Sequence, residues 1–131
     1  MQIDNVLLES LTEQAKVSSR LRMNYDLRNS AEDTSQRMLN AIEPGSVVPV
    51  HRHRSTSETV VCLRGSLVEE FFSDSGEVLE KFEVAAGSDC CALNIPAGVW
   101  HTLRALESGT VILEMKDGAY VPIGEEDVMK R

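Results

Sequence analysis

Every histidine in the chain falls within one pattern of potential metal ligands. His51 and His53 are two residues apart, Glu58 follows after a gap of four, and His101 comes three residues after Gly98. On a strand, residues two apart leave the same face, so the two imidazoles of His51 and His53 are expected to project together. With Glu58 and His101 they would supply three nitrogens and one carboxylate oxygen. That donor set suits one borderline divalent transition metal such as zinc, iron, manganese, nickel or copper. Ligation needs neutral imidazoles and an ionised carboxylate, so affinity is expected to fall as pH drops through the histidine range. A single histidine in a β protein is ordinarily a hydrogen-bonded polar residue. The metal reading therefore rests on the pair, the acid, the glycines and the Pro96-x-Gly98-x-x-His101 element occurring together.

Strands must carry these residues. From about Arg37 onward, short alternating runs are separated by turn residues such as Pro44-Gly45, Arg64-Gly65-Ser66, Ser73-Asp74-Ser75-Gly76, Pro96-Ala97-Gly98 and Asp117-Gly118. The runs are Arg37 to Ile42, Val47 to His53, Glu58 to Leu63, Leu67 to Phe72, Val78 to Val84, Asp89 to Ile95, Val99 to Leu106 and Thr110 to Lys116. Such regular spacing predicts an all-β sandwich or barrel. Ahead of them, Asp4 to about Ser18 reads as an amphipathic helix, capped by Asp4 or Asn5. Leu7, Leu8, Leu11 and Ala15 form its apolar face, and Thr12 and Lys16 are expected on the opposite side. The organisation expected is a helical segment over 1–20 followed by one β domain over 21–131, with 124–131 fraying.

The formal charge is −8, from 21 acidic and 13 basic residues. This argues against nucleic acid or an anionic membrane as a partner and leaves a small-molecule ligand. Arg52 and Arg54, interleaved with the histidine pair, are either solvated strand-end charges or a positive mouth for an anionic ligand. There is no secretory segment and no apolar run long enough to span a membrane, so a cytoplasmic location is expected. The three cysteines, an odd number, agree with a reducing compartment and read as small buried hydrophobes. Cys62 is set apart because it shares a strand face with Glu58.

The run Gly45, His51-x-His53, Glu58, Gly65 resembles the first motif of the cupin superfamily, and Gly87, Pro96, Gly98, His101 resembles the second. The second departs from the usual form in the longer gap from Gly87 to Pro96 and in Ala105, where an asparagine is common. Across roughly residues 20 to 123 the chain is similar to small single-domain cupins of the WbuC type. The matching stretches are Ser35 to Met38, Ile42 to Gly45, His51 to His53, Phe72 to Gly76, Trp100 to Thr102, Glu114 to Lys116 and Gly118 to Tyr120. Ala119 stands where proline is expected.

The resemblance implies a double-stranded β-helix, the cupin jelly-roll barrel, with a short N-terminal helix. It also implies one divalent metal held by His51, His53, Glu58 and His101. Alternation supports the same geometry: Glu58, Val60 and Cys62 share one face, and Trp100 covers the other side of the strand that carries His101. Ile112, Glu114 and Lys116 share a face that is either the wet side of a half-buried strand or a wall of the cavity. Glu114 and Tyr120 are the candidate acid–base groups, and Arg37, Cys62 and Lys116 the candidate pocket residues.

Three functions fit. One is an enzyme with Lewis-acid chemistry on a small carbohydrate-like molecule, linked by the resemblance to polysaccharide biosynthesis. Another is an iron-dependent dioxygenase, and the third is a non-catalytic metal or small-ligand sensor. Family habit and the apolar helix face lead us to expect a homodimer.

Overall fold

Asp4 caps helix α1 (Asn5–Val17) by accepting a hydrogen bond from the Leu7 amide at 3.1 Å. The computed structural model describes residues 1–130. Leu8, Leu11 and Ala15 are buried against Leu39, Ala41 and Val111, which gives this short helix the tertiary packing it needs to persist. Thr12 is buried on the same face, against expectation, because the Arg64 guanidinium donates to its hydroxyl at 2.7 Å.

Eight strands follow: β1 (Arg22–Asp26), β2 (Ser35–Ile42), β3 (Glu58–Arg64), β4 (Ser66–Phe72), β5 (Val78–Ala85), β6 (Ala92–Ile95), β7 (Trp100–Ala105) and β8 (Thr110–Asp117). All pair antiparallel, in a five-stranded sheet of order β1-β2-β8-β3-β6 and a three-stranded sheet of order β5-β4-β7. The sheets face each other across one core. Ile42, Val60, Cys62, Ile95 and Ile112 of the larger sheet meet Leu67, Val84 and Ala105 of the smaller. Each large aliphatic side chain fully buried here contributes roughly 1.5–3 kcal/mol.

Two strand expectations are corrected. Arg22–Asp26 is a strand although its sequence lacks clean alternation, because it pairs with β2 from Arg22↔Ile42 to Asp26↔Met38. The run from Val47 to His53 is not a strand; its one ladder position is His51, which bridges His101 and Val128.

Gly65 explains its place in the motif. It has φ +81°, and a Cβ there would lie 2.7 Å from the Thr110 Cα. Only glycine fits where the β3–β4 turn presses onto β8. The C-terminal segment, expected to fray, is docked as far as Met129; Arg131 lies outside the described residues. A 3-10 turn at Glu125–Asp127 leads to Met129, whose amide donates to the Val50 carbonyl at 2.8 Å. The Arg52 amide donates to the Asp127 carbonyl, and the Arg52 and Arg54 guanidinium groups both pair with the Asp127 carboxylate. These arginines are therefore tied to Asp127 rather than free strand-end charges, and both line a surface pocket with His53 and Lys116.

Candidate metal centre

Two separate segments, 47–53 and β7, bring the imidazoles together. His101 opens the inner face of β7, just after the Pro96-Ala97-Gly98 turn, and the Gly98 amide donates to the His53 carbonyl at 2.7 Å. Trp100, on the opposite face of β7, packs with Val50, Phe72 and Met129. Its indole donates to Asp74 at 3.0 Å and lies 4.3 Å beneath the Arg52 guanidinium. His51 and His53 converge without the strand that spacing predicted, because the His51 backbone is pinned to His101.

The potential ligand atoms of His51, His53 and His101 lie within 4.8 Å of one another. Glu58, at the start of β3, places Oε2 3.2 Å from His53 Nε2 and 3.7 Å from His101 Nε2. His51 Nδ1 is 2.8 Å from the Pro49 carbonyl and His101 Nδ1 2.9 Å from the Val99 carbonyl. A carbonyl only accepts, so each Nδ1 carries the proton and each Nε2 offers a lone pair. In those tautomers, imidazole lone pairs and a carboxylate oxygen face the same small space. Such an arrangement is satisfied by a cation, so the residues present fit a divalent metal.

The electrostatics agree. Burial lowers His51 to about 4, helped by the His101 charge, so its imidazole is neutral at physiological pH. Burial alone would raise the Glu58 carboxyl, but the adjacent His101 and His53 side chains and the Lys116 charge outweigh it and hold Glu58 below the usual carboxylate range.

Beyond this cluster lies a cavity of about 360 Å³ between the sheets. Glu114, Lys116 and Tyr120 line it, so the charged face of β8 is a cavity wall rather than the wet side of the strand. Lys116 Nζ is 3.5 Å from His53 Nε2, and Glu114 accepts from the Asn40 side-chain amide at 3.2 Å. Desolvation raises Glu114 to about 7, reinforced by the nearby Glu58 charge. Tyr120 is half exposed, with the Arg28 guanidinium 5.5 Å above its ring.

Two expected pocket residues are elsewhere. Arg37 shares its strand face with Leu39 and Ala41, which pack under α1, and its guanidinium binds Asp33 and the Ser35 carbonyl. The alternate residues Met38, Asn40 and Ile42 are the ones that face the cavity. Cys62 does share the inward face of β3, but at the end filled by Ile42, Leu67 and Ile112. It lies in the apolar core, its thiol 3.4 Å from the Arg64 and Gly65 carbonyls.

Asn40 and Glu69 are among the cavity residues that the sequence does not single out. Asn40 lies on β2, and Glu69 lies on β4 at 1% exposure. The signal for Glu69 was available: alternation along Leu67, Glu69 and Phe71 puts a carboxylate on an otherwise apolar inward face.

A family model described as "Domain of unknown function (DUF6016)" matches residues 3–84, a span that includes His51, His53 and Glu58 but ends before His101. No curated protein matches the sequence. Among solved structures, the chain is similar to the capsular polysaccharide assembling protein CapF from Staphylococcus aureus, at 19% identity and a TM-score of 0.69 over 86% of this chain. It is also similar to KdgF from Halomonas sp., at 15% identity and a TM-score of 0.62, covering 79% of this chain and 85% of that one. An oxalate oxidase in complex with the substrate analogue glycolate matches at 19% identity and a TM-score of 0.66, over 83% of this chain and 57% of the other. The chain spans 32% of the length of the S. aureus CapF chain. The likeness to these cupin-fold proteins shows that this chain has the cupin fold.

Proposed function

The chain belongs to the DUF6016 family, and from that premise we propose that it is a metal-dependent cupin of the WbuC type, an enzyme acting on a small, polar, carbohydrate-like molecule. One observation carries the reading. Three imidazoles from two separate segments converge, and two of them are locked by the Pro49 and Val99 carbonyls into the tautomer that aims Nε2 inward. His51, His53, His101 and Glu58 would hold the ion. A bound divalent metal supplies Lewis acidity toward a ligand oxygen.

The chain's own residues do the rest. Glu114, raised to about 7, can both accept and return a proton at physiological pH, the property a general acid–base needs. Lys116 sets a cationic group at the edge of the histidine cluster, and Tyr120 offers a phenol at the cavity rim. A link to polysaccharide biosynthesis is supported by the likeness to a capsular polysaccharide assembling protein. A cytoplasmic setting is consistent with Cys62, Cys90 and Cys91 all being free thiols. The proposal includes a homodimer, because Val6 and Val17 are exposed on α1; light scattering tests it.

Elemental analysis of protein purified without added metal, beside a His51→Ala/His53→Ala variant, tests the central claim. One equivalent of zinc, manganese or nickel, lost in the variant, supports Lewis-acid chemistry. Stoichiometric iron with oxygen uptake would replace it with a dioxygenase. Failure to bind any added divalent ion would end the metal reading.

A further inference from the structure

Among the described residues, the buried side-chain nitrogen and oxygen atoms without a hydrogen-bond partner are Asn40 Oδ1 and both carboxyl oxygens of Glu69. All three are acceptors, and both residues line the cavity beside the histidines, one from each sheet. A buried polar group left unsatisfied destabilises a fold, and its persistence in a native chain calls for a partner outside the chain. We propose that Asn40, Glu69 and Glu114 form an acceptor-lined subsite that takes the adjacent hydroxyl groups of a neutral polyol-like ligand. This deepens the reading above and rests on it, in that the ligand would engage the subsite and the histidine cluster at once.

The strand registers build the subsite. On β4, Glu69 stands between Leu67 and Phe71, both core-facing, so its carboxyl is directed into the space between the sheets. On the opposite sheet, Asn40 donates its amide to Glu114, which leaves the amide oxygen turned elsewhere and unpaired. Burial raises Glu69 to about 9, with the charges of Glu58 and Glu114 adding to the shift. It therefore carries a proton at neutral pH and can donate one hydrogen bond while accepting others.

Charge balance selects the ligand class. Arg20, Arg22 and Lys116 face the same cavity as Glu58, Glu69 and Glu114. A cationic ligand would meet the three bases, and a small dianion would meet the ionised Glu58, the partly ionised Glu114 and the unpaired acceptor oxygens of Asn40 and Glu69, to which it has no proton to donate. A hydroxylated neutral molecule meets neither penalty, because each hydroxyl both donates and accepts. The volume, about 360 Å³, lies within the range of small-molecule sites.

The test is a calorimetric titration of the full chain, metal-free and with one equivalent of zinc, using xylitol, malonate and putrescine as neutral, dianionic and dicationic probes. Xylitol is expected to half-saturate at a concentration roughly tenfold or more below either charged probe, the difference one or two well-placed hydrogen bonds make. Glu69→Leu should weaken xylitol binding by about tenfold with zinc stoichiometry unchanged, while Glu69→Gln should change it by less than about threefold. Asn40→Ala supplies an independent second variant and should weaken xylitol in the same direction. Preference for malonate or putrescine, no saturation by xylitol, or unaltered xylitol binding in Glu69→Leu and Asn40→Ala would each overturn the subsite. Loss of zinc binding alone, with xylitol still saturating the metal-free protein, would instead remove the metal reading and leave the subsite standing.

Discussion

His51 and His101 exchange both of their backbone hydrogen bonds, the His51 amide to the His101 carbonyl at 3.0 Å and the return bond at 2.8 Å. Their ring centroids are 4.4 Å apart as a consequence. One imidazole cannot move far without dragging the backbone that carries the other. The two ligand candidates thus form a preorganised pair, to which His53 and Glu58 add from outside the ladder.

From this pairing, His51→Ala or His101→Ala is expected to lower zinc affinity by more than the roughly 10–100-fold typical of losing an outer-shell partner. His101→Ala should be the more damaging to the fold, because it empties a position that is 3% exposed. Competition titration with a chromophoric chelator measures the affinities. An alanine variant at either position that retained wild-type affinity would rule that residue out as a ligand.

In the metal-free protein His51 and Glu58 lose stability toward acid, and Glu69 and Glu114 lose it toward alkali; His51 and Glu69 illustrate the two signs. His51 falls from an ordinary 6.5 to about 4 on folding, so the unfolded chain binds the extra proton first. The stability it contributes is complete above about pH 6.5 and is lost as pH falls toward about 4. Glu69 runs the other way. Raised from 4.5 to about 9, it contributes stability that is complete below about pH 4.5 and is lost as pH rises toward about 9. The melting temperature of metal-free protein should therefore decline on both sides of a mildly acidic maximum. Glu69→Leu should flatten the alkaline limb and raise stability at pH 8, by roughly 1–3 kcal/mol for relief of an unsatisfied buried group. An alkaline limb as steep as wild type would show that Glu69 is not the group responsible.

Legibility from sequence tracked local chemistry. The helix was readable to within a residue at each end because Asp4 is a good cap and the apolar residues recur at helical spacing. Strands β3, β4, β7 and β8 were readable from alternation, and with them the inward face of Glu58; the face shared by Glu114 and Lys116 stayed open because charged residues on a strand also suit solvent. The segment Val47 to His53 failed because its backbone is held by a distant bridge to β7 and by the chain end, not by a neighbouring ladder. That dependence on residue 128 has no local signature. Arg37 failed for a related reason: parity on β2 is set by whether Leu39 or Asn40 faces the helix, and only the packed structure decides it. Cys62 had the right parity but lay too far along β3, where the sandwich is filled by aliphatic side chains.

The docked chain end makes a prediction about the site. Asp127 pairs with both Arg52 and Arg54, at 2.9 and 2.6 Å, on either side of His53. Arg54 is well exposed, so the charge contribution alone is expected to be at most about 1 kcal/mol. Asp127→Ala should therefore barely alter the melting temperature. It should nevertheless speed zinc release, because the segment it holds also supplies the Val128 bridge to His51. Stopped-flow chelation reads the rate. An unchanged rate with an unchanged melting temperature would mean that the chain end does not support the site.

Two glycines with similar backbone angles separate strain from crowding. Gly65 and Gly87 have φ +81° and +72°, so alanine at either costs about 1–2 kcal/mol from the left-handed conformation alone. At Gly87 nothing lies within 4 Å of an added Cβ, and the cost should stop there. At Gly65 the added carbon would sit 2.7 Å from the Thr110 Cα, which is backbone and cannot rotate away. Relief would require β3 and β8 to part next to the register shift between Cys62 and Arg64. Chemical denaturation should accordingly show Gly65→Ala losing at least about 2 kcal/mol more than Gly87→Ala, as overpacking of a tight contact does. Equal losses at the two positions would mean that the β3–β4 turn has room to yield, and that Gly65 is required for its dihedral angle alone.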